Sequence, residues 1–317
     1  MAVMAAPAPW IIRDRRFIWG QRTYLMGILN VTSDSFSDGG QFQSLPAAIA
    51  QARHLLSHGV DILDIGGQST RPGALTIPEA EELDRVVPVV AALRADPDPM
   101  LQGAVISVDT TRAAVARAAH RAGADIVNDI SAGSEDAAML STVADLGMPI
   151  VLMHRRGTPA TMQGLTDYAD LMGEIHDFLA RQIEAAIAVG IEAHAIAIDP
   201  GLGFAKTYPQ NLEILRQLHR LRDLGCPLLV GPSRKSFLGW LLDQPDPQGR
   251  IWGTAAACCG AITGGADMLR VHDGAEMAQV CRVADALWRP HFLENLGQGS
   301  SHRPTQGAGE SRQNLLG

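Results

Sequence analysis

Short apolar runs and stretches of helical periodicity alternate eight times along this chain, and that alternation limits its fold more tightly than any other feature. The runs occupy residues 24–29, 60–65, 104–108, 125–127, 149–153, 195–198, 228–230 and 268–271. Helical periodicity fills residues 46–57, 78–94, 112–122, 135–146, 170–189, 209–222, 252–263 and 275–287. Strands that are apolar throughout, each followed by a helix, belong in a parallel sheet covered on both faces. Eight such units favour a closed (β/α)₈ barrel over an open sheet. Gly59, Gly123, Gly147, Gly190 and Gly225 stand where helix C-terminal caps belong. Residues 23–292 therefore read as one barrel domain, residues 1–22 as an N-terminal extension, and residues 293–317, rich in Gly, Ser and Gln without periodicity, as a flexible tail.

Every run ends in polar residues: Asn30-Val31-Thr32, Asp64 with the 66–72 segment, Asp109-Thr110, Asn128-Asp129, His154-Arg155, Asp199-Pro200-Gly201, Ser233-Arg234-Lys235 and Arg270-Val271-His272-Asp273. One such residue reads as an ordinary helix N-cap. Eight in a parallel barrel converge on one rim, where barrel enzymes place their chemistry. Arg71, Arg270 and His272 would bring positive charge suited to a phosphate. Asn30 and neighbouring oxygens suit a hard cation such as Mg²⁺. Asp109, Asn128 and Asp199 suit a heterocycle edge bearing N–H donors, or a developing positive charge. An anionic leaving group beside a cationic carbon describes dissociative transfer from a pyrophosphate. Asp64 reads as a structural tie to the loop after its strand, and Asp129 and Asp273 read as caps.

Composition removes other classes. A net charge of −8 and 5% aromatic residues argue against nucleic acid as a partner. No apolar run reaches the roughly 18 residues of a membrane span, and the first residues lack the pattern of a secretory signal. The four cysteines follow no metal-ligand spacing and read as small buried side chains, as expected in a reducing cytoplasm. Of 26 basic residues only Lys206 and Lys235 are lysines. A chain this committed to Arg points to those two as places that need a compact ammonium, although Lys206 also reads as a solvent-facing side chain.

These motifs resemble the dihydropteroate synthase family. The likeness is carried by MGILNVTSDSFSDGG (26–40), DIGGQSTRPGA (64–74), ISVDT (106–110), GADIVND (123–129), VLMHRRGTPATMQ (151–163), IAIDPGLGFAKT (196–207), LVGPSRKSFLG (229–239) and GADMLRVHD (265–273). It implies a cytoplasmic, homodimeric barrel that joins a dihydropterin pyrophosphate to 4-aminobenzoate, with Asp109, Lys235, Arg270 and His272 as its catalytic set. It further implies that the pterin is bound by Asp109, Asn128, Asp199 and Lys235, and pyrophosphate by Asn30 with Mg²⁺, Arg71, Arg270 and His272. The aminobenzoate, or a sulfonamide mimic, would contact Phe36, Thr70, Arg71, Pro72, Phe204, Lys235 and Ser236. Ser33 and Gln68 depart from the family's usual Pro and Glu. A pterin-dependent methyltransferase and a non-catalytic pterin-binding paralogue are the other readings open to this pattern.

Overall fold

Along each strand, side chains alternate between two surroundings, and this period of two builds the molecule. Leu25, Leu63, Ile106, Val127, Leu152, Ile198, Val230 and Leu269 point outward into the layer shared with the helices. Their neighbours Met26, Ile62, Val105, Ile126, Val151, Ala197, Leu229 and Met268 point inward and meet in a separate apolar cluster. Two residues further on, five of the eight inward positions are polar: Asp64, Ser107, Asn128, Asp199 and Arg270. The computed structural model describes residues 7–31, 40–71, 73–290 and 292–293.

The chain begins with an antiparallel hairpin, β1 (Trp10–Ile12) and β2 (Arg15–Phe17). Eight parallel strands follow: β3 (Tyr24–Asn30), β4 (Ile62–Gly66), β5 (Val105–Asp109), β6 (Ile126–Asp129), β7 (Ile150–Met153), β8 (Ile196–Asp199), β9 (Leu229–Val230) and β10 (Met268–Val271). They pair in the order β8-β7-β6-β5-β4-β3-β10-β9. A parallel bridge from Ile198 to Leu228, and a 2.9 Å hydrogen bond from the Ile198 N–H to the Pro227 carbonyl, join the two ends. The barrel is closed, so none of its eight strands is left with a free edge to pair with another chain.

The helices between strands are α1 (Gly40–Ser57), α2 (Glu79–Ala95), the short α3 (Pro99–Gln102), α4 (Ala113–Ala122), α5 (Met139–Leu146), α6 (Leu171–Ala188), α7 (Tyr208–Gln217), α8 (Ser236–Leu242) and α9 (Ile251–Thr263), with α10 (Gly274–Trp288) after β10. All five anticipated cap glycines have positive φ, from 63° at Gly147 to 114° at Gly123, the region that admits glycine without strain. Three helix starts or ends differ from the sequence reading. α1 begins at Gly40 with Pro46 inside it, not at Pro46. α5 begins at Met139 because the preceding residues are held in turns: the Asp129 carboxylate accepts from the Ser131 and Gly133 N–H groups, and Asp136 accepts from Ala113 and Ala138. α7 gives way to a 3₁₀ segment at Leu218–Leu224.

The hairpin closes the N-terminal end of the barrel. Trp10, Ile12, Phe17, Trp19 and Tyr24 join the eight inward apolar residues in one cluster. Trp10 meets Trp19 edge to face at 5.2 Å, and Phe17 lies 4.9 Å from Tyr24. The indole N–H of Trp10 donates to the His194 carbonyl at 2.7 Å, so even this floor leaves no indole donor wasted. Cys226, Cys258 and Cys281 are buried and all four cysteines are free thiols. Among the described residues no helix is long and apolar enough to cross a membrane.

Candidate active site

A cavity of about 560 Å³ opens at the C-terminal ends of the strands, above the apolar floor. Among its lining residues is Arg270, whose guanidinium donates to Asp64 Oδ2 (2.6 Å) and to Asp109 Oδ2 (2.7 Å). The Asn128 amide donates to the same Asp64 oxygen at 3.0 Å. Fixed in this way, Asn128 turns its own amide oxygen away from Asp64 as an acceptor. Asp64 is fully buried, so its role differs from the loop tie expected from sequence: it clamps Arg270 and Asn128. The signal lay in the period of two, since Ile62 points into the barrel and Asp64 must follow it inward.

Two carboxylates face the cavity in a dry setting. Burial pushes Asp109 up to about 7, with Arg270 pulling the other way and Asp64, Glu82 and Asp129 adding to the push. Burial likewise pushes Asp199 up to about 6, opposed by the Gly201 N–H at 2.7 Å from its Oδ1 and by Lys235, Lys206 and Arg270. Lys235 stands across from them, lowered to about 8 by burial and by Arg270. Its ammonium lies 4.5 Å from the centre of the Phe204 ring. A Cβ on Gly203 would come within 3.2 Å of the Lys235 chain, so a small residue is needed for that approach.

His272 does not carry the positive charge expected of it. Its backbone N–H donates to Ser233 Oγ at 3.1 Å, which leaves the serine O–H free to donate to Nδ1 at 3.0 Å. Burial, with Arg234 and Arg270 nearby, lowers its pKa to about 3. The ring is therefore neutral, offering an Nε2–H donor. Arg234, at φ 58°, pairs with Asp273. Asp273 makes no side-chain cap at the start of α10, contrary to the sequence reading. Asp129 does serve its turn, as anticipated.

Lys206 also departs from expectation, because it is 2% exposed and not in solvent. Asn30, Thr70, Arg71, Ser236 and Phe204 line the cavity mouth and walls with Gln68. Phe36, Pro72 and Ser33, and the tail from residue 294, lie outside the described residues. The donor set for a cation is sparse. A Cβ on Gly66 would lie 3.7 Å from Asn30 Oδ1 and 3.5 Å from Asp109 Oδ2, and among the described residues no cluster of three or more His, Cys, Asp or Glu could hold a metal. Asn30 Oδ1 is an uncharged side-chain oxygen on the cavity wall that a hard cation could share with a substrate phosphate.

Residues 26–272 match the sequence profile of the pterin-binding enzymes. The chain is 57% identical over 283 residues to a dihydropteroate synthase of Synechocystis sp., spanning 89% of this chain and 96% of that protein. It superposes with a TM-score of 0.81, at 42% identity, on the Yersinia pestis dihydropteroate synthase in a sulfonamide drug complex, covering 88% of this chain and 99% of that one. The Xanthomonas albilineans dihydropteroate synthase in complex with 7,8-dihydropteroate gives a TM-score of 0.77 at 38% identity, covering 88% and 98%. At 57% identity over 89% of its length, the chain belongs to the dihydropteroate synthase family of pterin-binding enzymes.

Proposed function

We propose that this site condenses 6-hydroxymethyl-7,8-dihydropterin pyrophosphate with 4-aminobenzoate, giving 7,8-dihydropteroate and pyrophosphate. The observation that carries the reading is the stacking of two chemistries in one cavity. Acceptors for a heterocycle edge (Asp109, Asn128 and Asp199) lie deep, and donors for a diphosphate (Arg270, His272 and Arg71) lie towards the mouth.

The pterin edge sits against Asp109, Asn128, Asp199 and Lys235, with its methylene carbon directed to the mouth. The carbon–oxygen bond to the diphosphate breaks, and the electron pair leaves with pyrophosphate. Two carboxylates beside the ring favour the positive charge that builds on it, since fixed charges in a dry site act more strongly than in water. The aniline nitrogen of 4-aminobenzoate then forms the new carbon–nitrogen bond and loses a proton. Thr70, Arg71, Phe204, Lys235 and Ser236 border the space for that second substrate. The Asn30 oxygen would hold Mg²⁺ with the diphosphate, where the ion would offset charge on the leaving group.

Pyrophosphate release that requires both substrates tests the assignment. Release without 4-aminobenzoate, or methyl transfer to a corrinoid in its place, would overturn it, and pterin binding with no turnover would identify a non-catalytic paralogue. Full activity in excess chelator would remove the metal. We further propose a homodimer in the cytoplasm. Exposed apolar side chains on α8, α9 and α10, among them Trp240, Trp252, Leu287 and Trp288, support the first part. Four unpaired thiols support the second.

A further inference from the structure

Lys206 is the one lysine that the proposed chemistry leaves unused, and it lies buried behind the cavity wall. Its ammonium is 2.9 Å from His154 Nδ1, 2.9 Å from the Phe204 carbonyl and 3.5 Å from the His154 carbonyl. Those three acceptors match the three N–H donors of an ammonium, and all are neutral. No carboxylate pairs with it among the described residues. A buried charge without a contact partner is costly, so something must recover that cost.

Its surroundings belong to the loop that follows Asp199. The His154 N–H donates to the Asp199 carbonyl at 2.9 Å. A Cβ on Gly201 would lie 2.0 Å from the His154 carbonyl oxygen, so loop and histidine are pressed together. Ala205 is held at φ 52°, and its carbonyl accepts from Tyr168 Oη at 2.9 Å. Lys206 thus ties a strained turn to β7, at the back of the wall that carries Asp199, Gly203 and Phe204.

Resting on the function proposed above, we infer that Lys206 is a positioning residue for the pterin: it fixes the Asp199–Phe204 wall through His154, and it keeps the Asp199 carboxylate charged so that it accepts the N–H donors of the pterin edge. Burial lowers Lys206 to about 7, and Asp199 is the opposite charge that holds it up, against repulsion from Lys235 and Arg156. Asp199 in turn feels Lys235, Lys206 and Arg270. A neutral Asp199 would present a hydroxyl to a donor edge. A guanidinium could not place three donors on acceptors set around a point.

The experiment uses the full chain, Lys206→Met and Lys206→Arg, with 6-hydroxymethylpterin as an unreactive probe and calorimetry from about pH 5 to about pH 9. Dividing each variant's dissociation constant by the parent's at the same pH cancels the titration of the probe. Lys206→Met is expected to bind ~10-fold more weakly at about pH 5 and to converge on the parent by about pH 9, as one opposite charge removed raises a carboxylate by about one unit or more. Lys206→Arg keeps the charge at acid pH, so its ratio does not grow towards about pH 5 even where the displaced wall weakens binding throughout. A flat ratio in a folded Lys206→Met would overturn the inference. If that variant does not melt like the parent, a ratio in Lys206→Arg that grows towards low pH would do the same. A parent that binds no pterin would overturn the function reading instead.

Discussion

Lys235 meets Phe204 on one side and Gly203 on the other. Lys235→Arg conserves charge but brings a planar guanidinium into the space between the two substrates. It is expected to lose at least ~10-fold in kcat/KM, or about 1.4 kcal/mol, measured by steady-state kinetics on a variant that melts like the parent. Parental activity would mean that charge alone matters there. The ionisations set a second expectation. Asp109 and Asp199 must shed protons to act as carboxylates, while Lys235 must keep its own. With the first two raised to about 7 and about 6, and the third lowered to about 8, kcat/KM should climb through the carboxyl range and fall above the lysine's. A profile flat from about pH 5 to about pH 9 would remove these groups from the rate. The scarcity of lysine in the sequence pointed to both ammonium sites. It could not tell that Lys206 is buried, because burial there depends on His154, 52 residues earlier in the chain. Asp64 was likewise visible as a residue but not as a clamp, since Arg270 reaches it from 206 residues away.

At the scale of elements, all eight barrel strands were legible because each is an apolar run bounded by glycine or polar residues. The hairpin was not legible: β1 and β2 have three residues each, and the pattern of Arg15-Arg16-Phe17 shows only one buried position. What makes the hairpin an element is long-range packing, Trp10 and Phe17 being 2% exposed against all eight strands. α8 escaped for a related reason, as seven residues without a polar face carry no periodicity. The hairpin should matter to stability well beyond its length. Trp10→Ala is expected to cost about 3–5 kcal/mol, as for other buried large-to-alanine changes, read from urea denaturation with kcat unchanged in the folded fraction. A loss below about 1 kcal/mol would mean that the barrel end closes without it.

For the whole molecule, the exposed apolar face of α8, α9 and α10 is the feature that a monomer does not explain. Trp252 is 80% exposed and Leu287 69%, and beside them a groove of about 710 Å³ runs between α7, α8 and α9, lined by Leu215, Phe237, Leu241 and Gly260. Sedimentation should therefore find twice the chain mass, and Trp252→Glu with Leu287→Glu should halve it while the fold survives. A wild-type chain that sediments as a monomer at micromolar concentration would refute the dimer.

The apolar floor of the barrel also governs the movement of protons. Thirteen side chains, from the hairpin and from every strand, fill the space beneath the carboxylates, so no chain of water can reach Asp109 or Asp199 from below. Every proton these groups release or take up travels through the mouth, the same opening by which both substrates enter. Once the substrates lie over it, exchange with solvent stops, the proton lost by the aniline nitrogen leaves with the products, and the carboxylate charge state captured at binding persists through turnover. The pH dependence of kcat/KM should then disappear from kcat, leaving an enzyme that reads the acidity of its solution only while it is empty.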